Sequence, residues 1–559
     1  MATLVYPDTL DVVKHINLGI NYLIRNPDAK SNYVPYFGGK VPYKGYPRLE
    51  RTEWDYGDGT GRFIEALILA RMVTGNQDGK EIEEMLIRNL YSFFKDDGLS
   101  YREKTPWNDD CADIWAQRGS LLALSLLYKT RGDREALNQL KRLLRGLEQV
   151  AIKDKEGSCF GYLWTGNKWI MENEGICFVP MEGLVKCFEM TGNEEALNLS
   201  ISLANKMVYG RDRYFNEDGS FGCWQGEGDL KGRRLKSYEV TNGHVHSRTN
   251  AIFALLQLGI LTGNKDYIAF GKKVYDWVRT QSSRFGWVPE NLITPGKESS
   301  EMCCFTDMLG IQLLLAKIGY SEYWDHVEQY VRNHLVEAQF IVTPVIKESI
   351  MDIPKPKFPQ DTPRITYREV LERLEGGFAG PIYPNDLFSA YPNSRENKDS
   401  ERLIDISGCC APSGIKALYF AWSNIVTKDD KGIWINLALN HTTEWVEIIS
   451  NIPYEGRLDI LIHEALPLYI RIPTWVCKDD VELFVNEKEE RYEWVDRYIY
   501  YRRADRGDRL RIQYPLREMK EAEVLAGTPY EVSWKGDYVT DIKSDITPIF
   551  PLYMRREIK

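Results

Sequence analysis

Five times this chain repeats an apolar segment at helical spacing that ends on a glycine, and that repeat governs what it can fold into. The segments are FIEALILARMVTGN (63–76), SLLALSLLYKTRGD (120–133), MEGLVKCFEMTGN (181–193), NAIFALLQLGILTGN (250–264) and DMLGIQLLLAKIGY (307–320). Apolar residues at i, i+3, i+4 and i+7 mark a helix, and a Gly just past the last of them suits the left-handed residue that ends one. The turn glycines Gly75, Gly132, Gly192, Gly263 and Gly319 lie 56 to 71 residues apart, enough for two helices and their loops. Each period therefore reads as a helical hairpin. A further helix after Cys410 (GIKALYFAWSNIV) brings the count to six and predicts a closed (α/α)6 barrel. An open solenoid is the alternative, but its repeats are usually shorter. The loops RTEWDYGDGTGR (51–62) and DDCADIWAQRG (109–119) are dense in Trp, Asp, Gly and Arg. A barrel would collect them at one end as a polar, aromatic bowl.

From about residue 432 the period changes from 3.6 to 2. GIWINLALN, LDILIHEA, LYIRIP, DVELFVN, YIYYRR and LRIQYP are short β-rich runs between turn residues. The expected class is mainly α: a barrel domain over 1–430, then an antiparallel β-sandwich domain over 431–559. A Pro-rich polar insertion at about 340–400 precedes the last barrel helix, and insertions of that length are often functional.

The net charge of −10 argues against a nucleic-acid or anionic-membrane partner. Lys231, Arg233, Arg234 and Lys236 form only a short basic group. No run of eighteen apolar residues suggests a membrane span, and the first residues lack the basic and apolar regions of a secretory signal. A cytoplasmic location is expected. The aromatic content of 12% suits stacking on sugar faces and equally the core of a large helical fold. Ten cysteines in 559 residues are too sparse for a disulfide scaffold. Cys111, Cys159, Cys177, Cys187, Cys223 and Cys477 are scattered, and most read as reduced, buried small hydrophobes.

The other four cysteines come as adjacent pairs. Ser300-Glu301-Met302-Cys303-Cys304-Phe305 directly precedes the fifth repeat helix, and Gly408-Cys409-Cys410-Ala411-Pro412-Ser413 the last one, with Pro412 suited to a first turn. A helix N-terminus favours thiolate over thiol, the form that binds metal or attacks carbon. Glu301, Cys303, Cys409 and Cys410 offer three sulfurs and one carboxylate, which satisfies tetrahedral zinc. Glu301 and Cys303 converge if the backbone between them is extended; Cys304 is then spare and faces the barrel wall. Chance core cysteines, or a disulfide between the pairs, are the alternatives.

Glu-x-Cys followed about a hundred residues later by Gly-Cys-Cys-x-Pro resembles glycoside hydrolase family 127, the β-L-arabinofuranosidase-like enzymes, and the likeness covers most of the chain. The resemblance implies zinc on Glu301, Cys303, Cys409 and Cys410, with Cys409 as nucleophile. It implies a general acid/base a short way upstream, best matched by Glu290 in Phe285-Gly286-Trp287-Val288-Pro289-Glu290; Glu298 is nearer but lies in the polar stretch PGKESS. Gly243-His244-Val245-His246-Ser247 resembles the family's His-containing substrate-binding segment, and Tyr383 loosely matches a Tyr-x-Asn-Pro segment. The family also uses histidines from earlier helices. Between His15 and His244 this chain has none, and Arg118, Ser120, Val179, Pro180 and Glu182 stand in that region. The implied activity is retaining hydrolysis that releases L-arabinofuranose, or another pentose or deoxy sugar, from small oligosaccharides or glycoconjugates. A carbohydrate partner is thus expected, with self-association left open. The rival is a carbohydrate epimerase, isomerase or two-carboxylate hydrolase on the same barrel, using His244 or His246 with Asp55 or Asp113 and a structural zinc.

Overall fold

Residues 9–170, 177–210, 214–222, 229–230, 233–234, 243–292, 299–351, 359–390, 402–502 and 504–553 are described by the computed structural model. Cys223, Lys231, Lys236 and Glu298 lie outside the described residues. The helices are α1 (Val12–Arg25), α2 (Thr60–Thr74), α3 (Lys80–Ser92), α4 (Ile114–Arg131), α5 (Arg134–Val150), α6 (Pro180–Thr191), α7 (Glu194–Tyr209), α8 (Val245–Thr262), α9 (Lys265–Thr280), α10 (Met302–Lys317), α11 (Tyr323–Tyr330), α12 (Pro344–Met351), α13 (Val370–Leu374) and α14 (Cys410–Ile425).

The five repeat segments are α2, α4, α6, α8 and α10. They are apolar on nearly every side: residues 60–71 of α2 and 114–127 of α4 are buried without a break. A helix of that kind has to be surrounded. Accordingly α2 packs on α4, α4 on α6, α6 on α8, α8 on α10, α10 on α14 and α14 on α2, closing a ring. Outside it, α3, α5, α7, α9 and α11 each pack on the helix that precedes them, and α1 lies against α2 and α14. These outer helices bury only a stripe, such as Leu140, Leu143, Leu144 and Leu147 of α5. Gly75, Gly132, Gly192 and Gly263 end their helices in the left-handed conformation, with φ between 65° and 70°. No atom would obstruct a Cβ at these four positions, so the positive φ is what selects Gly. Gly319 differs: α10 ends through Ile318, and Gly319 follows at φ 109°.

The region expected to be an insertion is woven into the barrel mouth. Strands from 365–366, 389–390 and 402–405 join 38–42 and 48–50 in one five-stranded sheet, ordered 365–366, 48–50, 38–42, 402–405, 389–390. Its register (Lys40 with Asp405, Pro42 with Leu403) delivers the chain to Gly408 and Cys409.

After α14 come sheets of five, six and three strands. The pairing is antiparallel except where Ile433–Ile435 runs parallel to Leu468–Arg471. Between those two strands the chain crosses to the six-stranded sheet and returns, which gives them the same direction. The last sheet, made by Glu518–Leu525, Thr528–Lys535 and Tyr538–Lys543, is separate from the other two. No helix among the described residues is long and apolar enough to cross a membrane.

Candidate active site and metal centre

Both cysteine pairs sit at helix starts, as the sequence predicts. Cys409 is the N-cap of α14 and Cys410 its first residue; Glu301 is the N-cap of α10 and Cys303 its second residue. Glu301 is extended (φ −110°, ψ 132°) but Met302 after it is already helical, so the expected extended backbone between Glu301 and Cys303 is not what brings them together; they converge across the first turn of α10. Neighbouring backbone pins each turn. Gly408 N–H donates to Phe37 O at 2.6 Å and Ile406 N–H to Gly39 O at 2.7 Å. Ser300 exchanges two bonds with Ile382, at 2.8 and 3.0 Å.

The ligand atoms of Glu301, Cys303, Cys409 and Cys410 all lie within 4.8 Å of one another. Cys409 Sγ is 3.8 Å from Cys410 Sγ, and Cys303 Sγ is 4.0 Å from Cys410 Sγ. Glu301 Oε1 lies 3.5 Å from Cys409 Sγ and 3.9 Å from Cys410 Sγ. Zn–S bonds of about 2.3 Å and a Zn–O bond of about 2.0 Å at tetrahedral angles give edges of about 3.8 Å (S···S) and about 3.5 Å (S···O). The donor set and spacing therefore fit tetrahedral zinc. Glu301, Cys303 and Cys410 are buried, and Cys409 is the half-exposed member.

Burial opposes ionisation of Cys303, but hydrogen bonds from Cys409 and Cys410, with the Arg62 guanidinium beside it, hold its thiol well below the ordinary range. Cys409 is pushed up, first by its hydrogen bond to Cys303; Cys410 is pushed up first by burial.

Arg62, at the start of α2, is held by Asp58 at 2.8 Å and turns its guanidinium to Cys303 Sγ (3.9 Å) and Ser413 Oγ (3.3 Å). Ser413 Oγ in turn donates to Cys303 Sγ at 3.4 Å. His246 is buried. Its Nδ1 meets Asp307 at 2.7 Å, its Nε2 meets Arg62 Nη2 at 3.3 Å, and its ring is stacked on Trp115 at 4.9 Å. Arg62 can only donate, so His246 carries its proton on Nδ1 and accepts at Nε2. His246 thus supports the cluster's wall with both nitrogens in use. His244 stands at the mouth: its Nε2 is 2.9 Å from Glu301 Oε2. Burial alone would lower its pKa, but Glu301 and Glu290 raise it. Cys304 does not simply face the wall. It is buried and its thiol lies 3.7 Å from Glu301 Oε2, where burial and that carboxylate push it well up.

Glu290 sits in the loop between α9 and α10, one residue after the isolated bridge that Pro289 makes with Ser300. Val245 N–H donates to Glu290 O, and Glu290 N–H to Ser299 O, both at 2.8 Å. Its carboxylate accepts from Ser299 Oγ at 3.1 Å. Tyr383 is half-buried on the loop whose Ile382 pairs with Ser300, and it bridges to Asp386. The rival carboxylates are engaged elsewhere. Asp55 is fully buried and accepts from Phe37 N–H (2.9 Å) and Thr52 N–H (3.1 Å), with its pKa pushed up to about 7 by burial. Asp113 caps α4 and pairs with Arg102. Of the scattered cysteines, Cys111, Cys159, Cys177 and Cys187 are buried and unbridged, whereas Cys477 is exposed. Sequence reasoning missed Arg62, Trp115, Asp307 and Ser413. The first two lie in the Trp- and Arg-rich loop motifs, which was the available signal.

Gly380 gives a direct test of the cluster's packing. A Cβ there would lie 2.7 Å from Cys410 Sγ and 3.2 Å from Met302 N. Because the added methyl would displace the Cys410 sulfur, Gly380→Ala is expected to weaken the retention of any metal held there by about tenfold to a hundredfold, the range seen when the surroundings of such ligands are disturbed. Competition with a chromogenic chelator measures it.

No family model matches this sequence, and no curated protein matches it. Solved structures do. A GH127 β-L-arabinofuranosidase from Geobacillus stearothermophilus T6 matches at TM-score 0.56 and 15% identity, covering 95% of this chain and 81% of its own. A GH127 β-arabinofuranosidase matches at TM-score 0.60 and 14% identity, covering 94% and 81%. A structure described as a glycoside hydrolase matches at TM-score 0.57 and 13% identity, covering 92% and 84%. The chain therefore has a helical-barrel glycoside hydrolase fold. More particularly, it is the fold of the GH127 β-L-arabinofuranosidases, shared over more than nine-tenths of its length.

Proposed function

We propose that this chain is a retaining glycoside hydrolase with Cys409 as nucleophile, Glu290 as acid/base and zinc held by Glu301, Cys303, Cys409 and Cys410. The observation that carries this is the asymmetry of the cluster: three of its four members are buried, and Cys409 reaches the mouth. Zinc bound there would supply the charge that keeps the Cys409 sulfur a thiolate at neutral pH. Cys409 Sγ attacks the anomeric carbon while Glu290 gives its proton to the departing glycosidic oxygen. The C–O bond breaks and a C–S bond forms. Glu290, now a carboxylate, takes a proton from water, whose oxygen displaces Cys409 and releases the sugar with retained configuration. His244 orients Glu301 through its second oxygen, and Arg62 offsets the negative charge of the sulfurs.

The ring of inner and outer helices is read as an (α/α)6 barrel, and the strands from 426 onward as a β-sandwich with an added sheet. The substrate is a carbohydrate, with L-arabinofuranosides first among the candidates on the strength of the fold. The epimerase reading has less support, because Asp55 and Asp113 are spent on backbone N–H groups and on Arg102. The thiolates call for reducing surroundings such as the cytoplasm.

Protein purified under reducing conditions is expected to carry about one zinc per chain by elemental analysis. It is expected to cleave a nitrophenyl L-arabinofuranoside, or another pentoside or deoxyglycoside in the same screen. Zinc absent from an active protein would remove the metal from the proposal; inertness of the zinc-loaded protein across the screen would remove the activity.

A further inference from the structure

The last sheet and the tail after it (518–553) lie on the barrel directly outside the site. They grip two loops. One is 283–290, which ends at Glu290. Its Arg284 N–H donates to both carboxylate oxygens of Glu523, at 3.1 and 3.3 Å. Its Arg284 side chain reaches Glu521 at 3.1 Å and lies over the Trp534 ring, and its Phe285 packs edge-on against Tyr553. The other is 380–388. There Asn385 Nδ2 donates to Ile542 O at 2.8 Å and its Oδ1 accepts from Leu552 N–H at 3.1 Å. Asp386 accepts from Ile549 and Phe550 N–H, both at 2.9 Å.

The two loops meet at the residue before Glu301. Ser300 bridges to Pro289 on one side and to Ile382 on the other, and its Oγ accepts from Val288 N–H at 3.3 Å. The Trp287 indole N–H closes the triangle by donating to Ile382 O at 3.0 Å. Glu290, Glu301 and the two gripped loops are therefore one bonded unit, and residues 518–553 hold it from behind. Loops by themselves are the least rigid part of a barrel, and a shift of about 1 Å in a reacting group costs about a hundredfold in rate.

We propose that residues 518–553 are a brace that fixes Glu290 against the cysteine cluster, with Glu523 as its principal positioning residue. The proposal rests on the reading of Glu290 as acid/base. Glu523 touches no substrate; it acts through the Arg284 backbone. In Glu523→Ala, kcat is expected to fall about tenfold to a hundredfold, with KM within about twofold and zinc content unchanged. Glu523→Gln keeps an oxygen facing Arg284 N–H and is expected to restore most of the rate. Hydrogen exchange of full-length protein is expected to speed up in peptides covering 284–290 in the alanine variant alone. Unchanged exchange there overturns the brace whatever the rate does, and so does an alanine variant that loses zinc or melts as a whole. Faster exchange with an unaltered kcat supports the brace and overturns the role of Glu290.

Discussion

Cys409→Ser is expected to lower kcat by about a thousandfold or more while the barrel still folds. A serine hydroxyl stays protonated at neutral pH, and the sulfur it replaces belongs to the one member of the cluster that is not buried. Because Cys409 would be both ligand and nucleophile, that loss alone does not divide the two roles. Glu290→Gln does. It removes the proposed proton donor and the proposed base for water, and leaves the four proposed ligands as they are. A dinitrophenyl glycoside needs no proton on its leaving group, so Cys409 should still attack it in this variant. The second half-reaction then fails, and one sugar accumulates on the protein. Mass spectrometry of peptides is expected to place that sugar on Cys409. An adduct on another residue, or undiminished turnover in either variant, would overturn the assignment.

How much of this was legible in the sequence follows from the range of the interactions involved. The inner helices were readable because burial on every side leaves continuous apolar runs, and because four left-handed termini admit little but Gly. The grouping of Glu301, Cys303, Cys409 and Cys410 was readable for a related reason: adjacent cysteines at helix starts are uncommon, and both pairs open helices that lie side by side in the ring. The region 340–400 was not. Residues 365–366, 389–390 and 402–405 are too short to show a period of 2, and the strands that 365–366 and 402–405 pair with, 48–50 and 38–42, lie at the other end of the barrel's sequence. The same holds for Arg62. Its link to Cys303 spans 241 positions, and its sequence neighbours mark it as a helix start. His244 and His246 also part ways: two residues further on, in the first turn of α8, the His246 ring lies between Trp115 and Asp307, whereas His244 meets Glu301.

The barrel's own stability should hinge on Glu182, in α6. Its carboxylate is buried and bonded to Arg118 of α4 (2.7 Å), Asn250 of α8 (2.6 Å) and Lys416 of α14 (2.7 Å), and Lys416 also pairs with Glu65 of α2 at 2.7 Å. Five of the six ring helices thus meet in one desolvated network. Burial alone would raise the carboxyl's pKa, but Arg118, Lys416 and Asn250 outweigh it and hold it far below the usual carboxylate range. Glu182→Ala removes the centre of the network and strands Arg118 without a carboxylate, so a loss of about 3–5 kcal/mol is expected. Denaturant unfolding measures it. Glu182→Gln keeps two polar atoms and should lose less. The pH dependence carries a sign. The folded carboxyl has the lower pKa, so the native state binds fewer protons than the unfolded one, and the stabilisation is fully present above the unfolded value of about 4.3. It is lost as pH falls below that value. Wild-type stability should therefore drop below about pH 4 more steeply than that of Glu182→Gln, which has no proton to take up there. Parallel curves for the two proteins would show that this network does not set the acid limit of the fold.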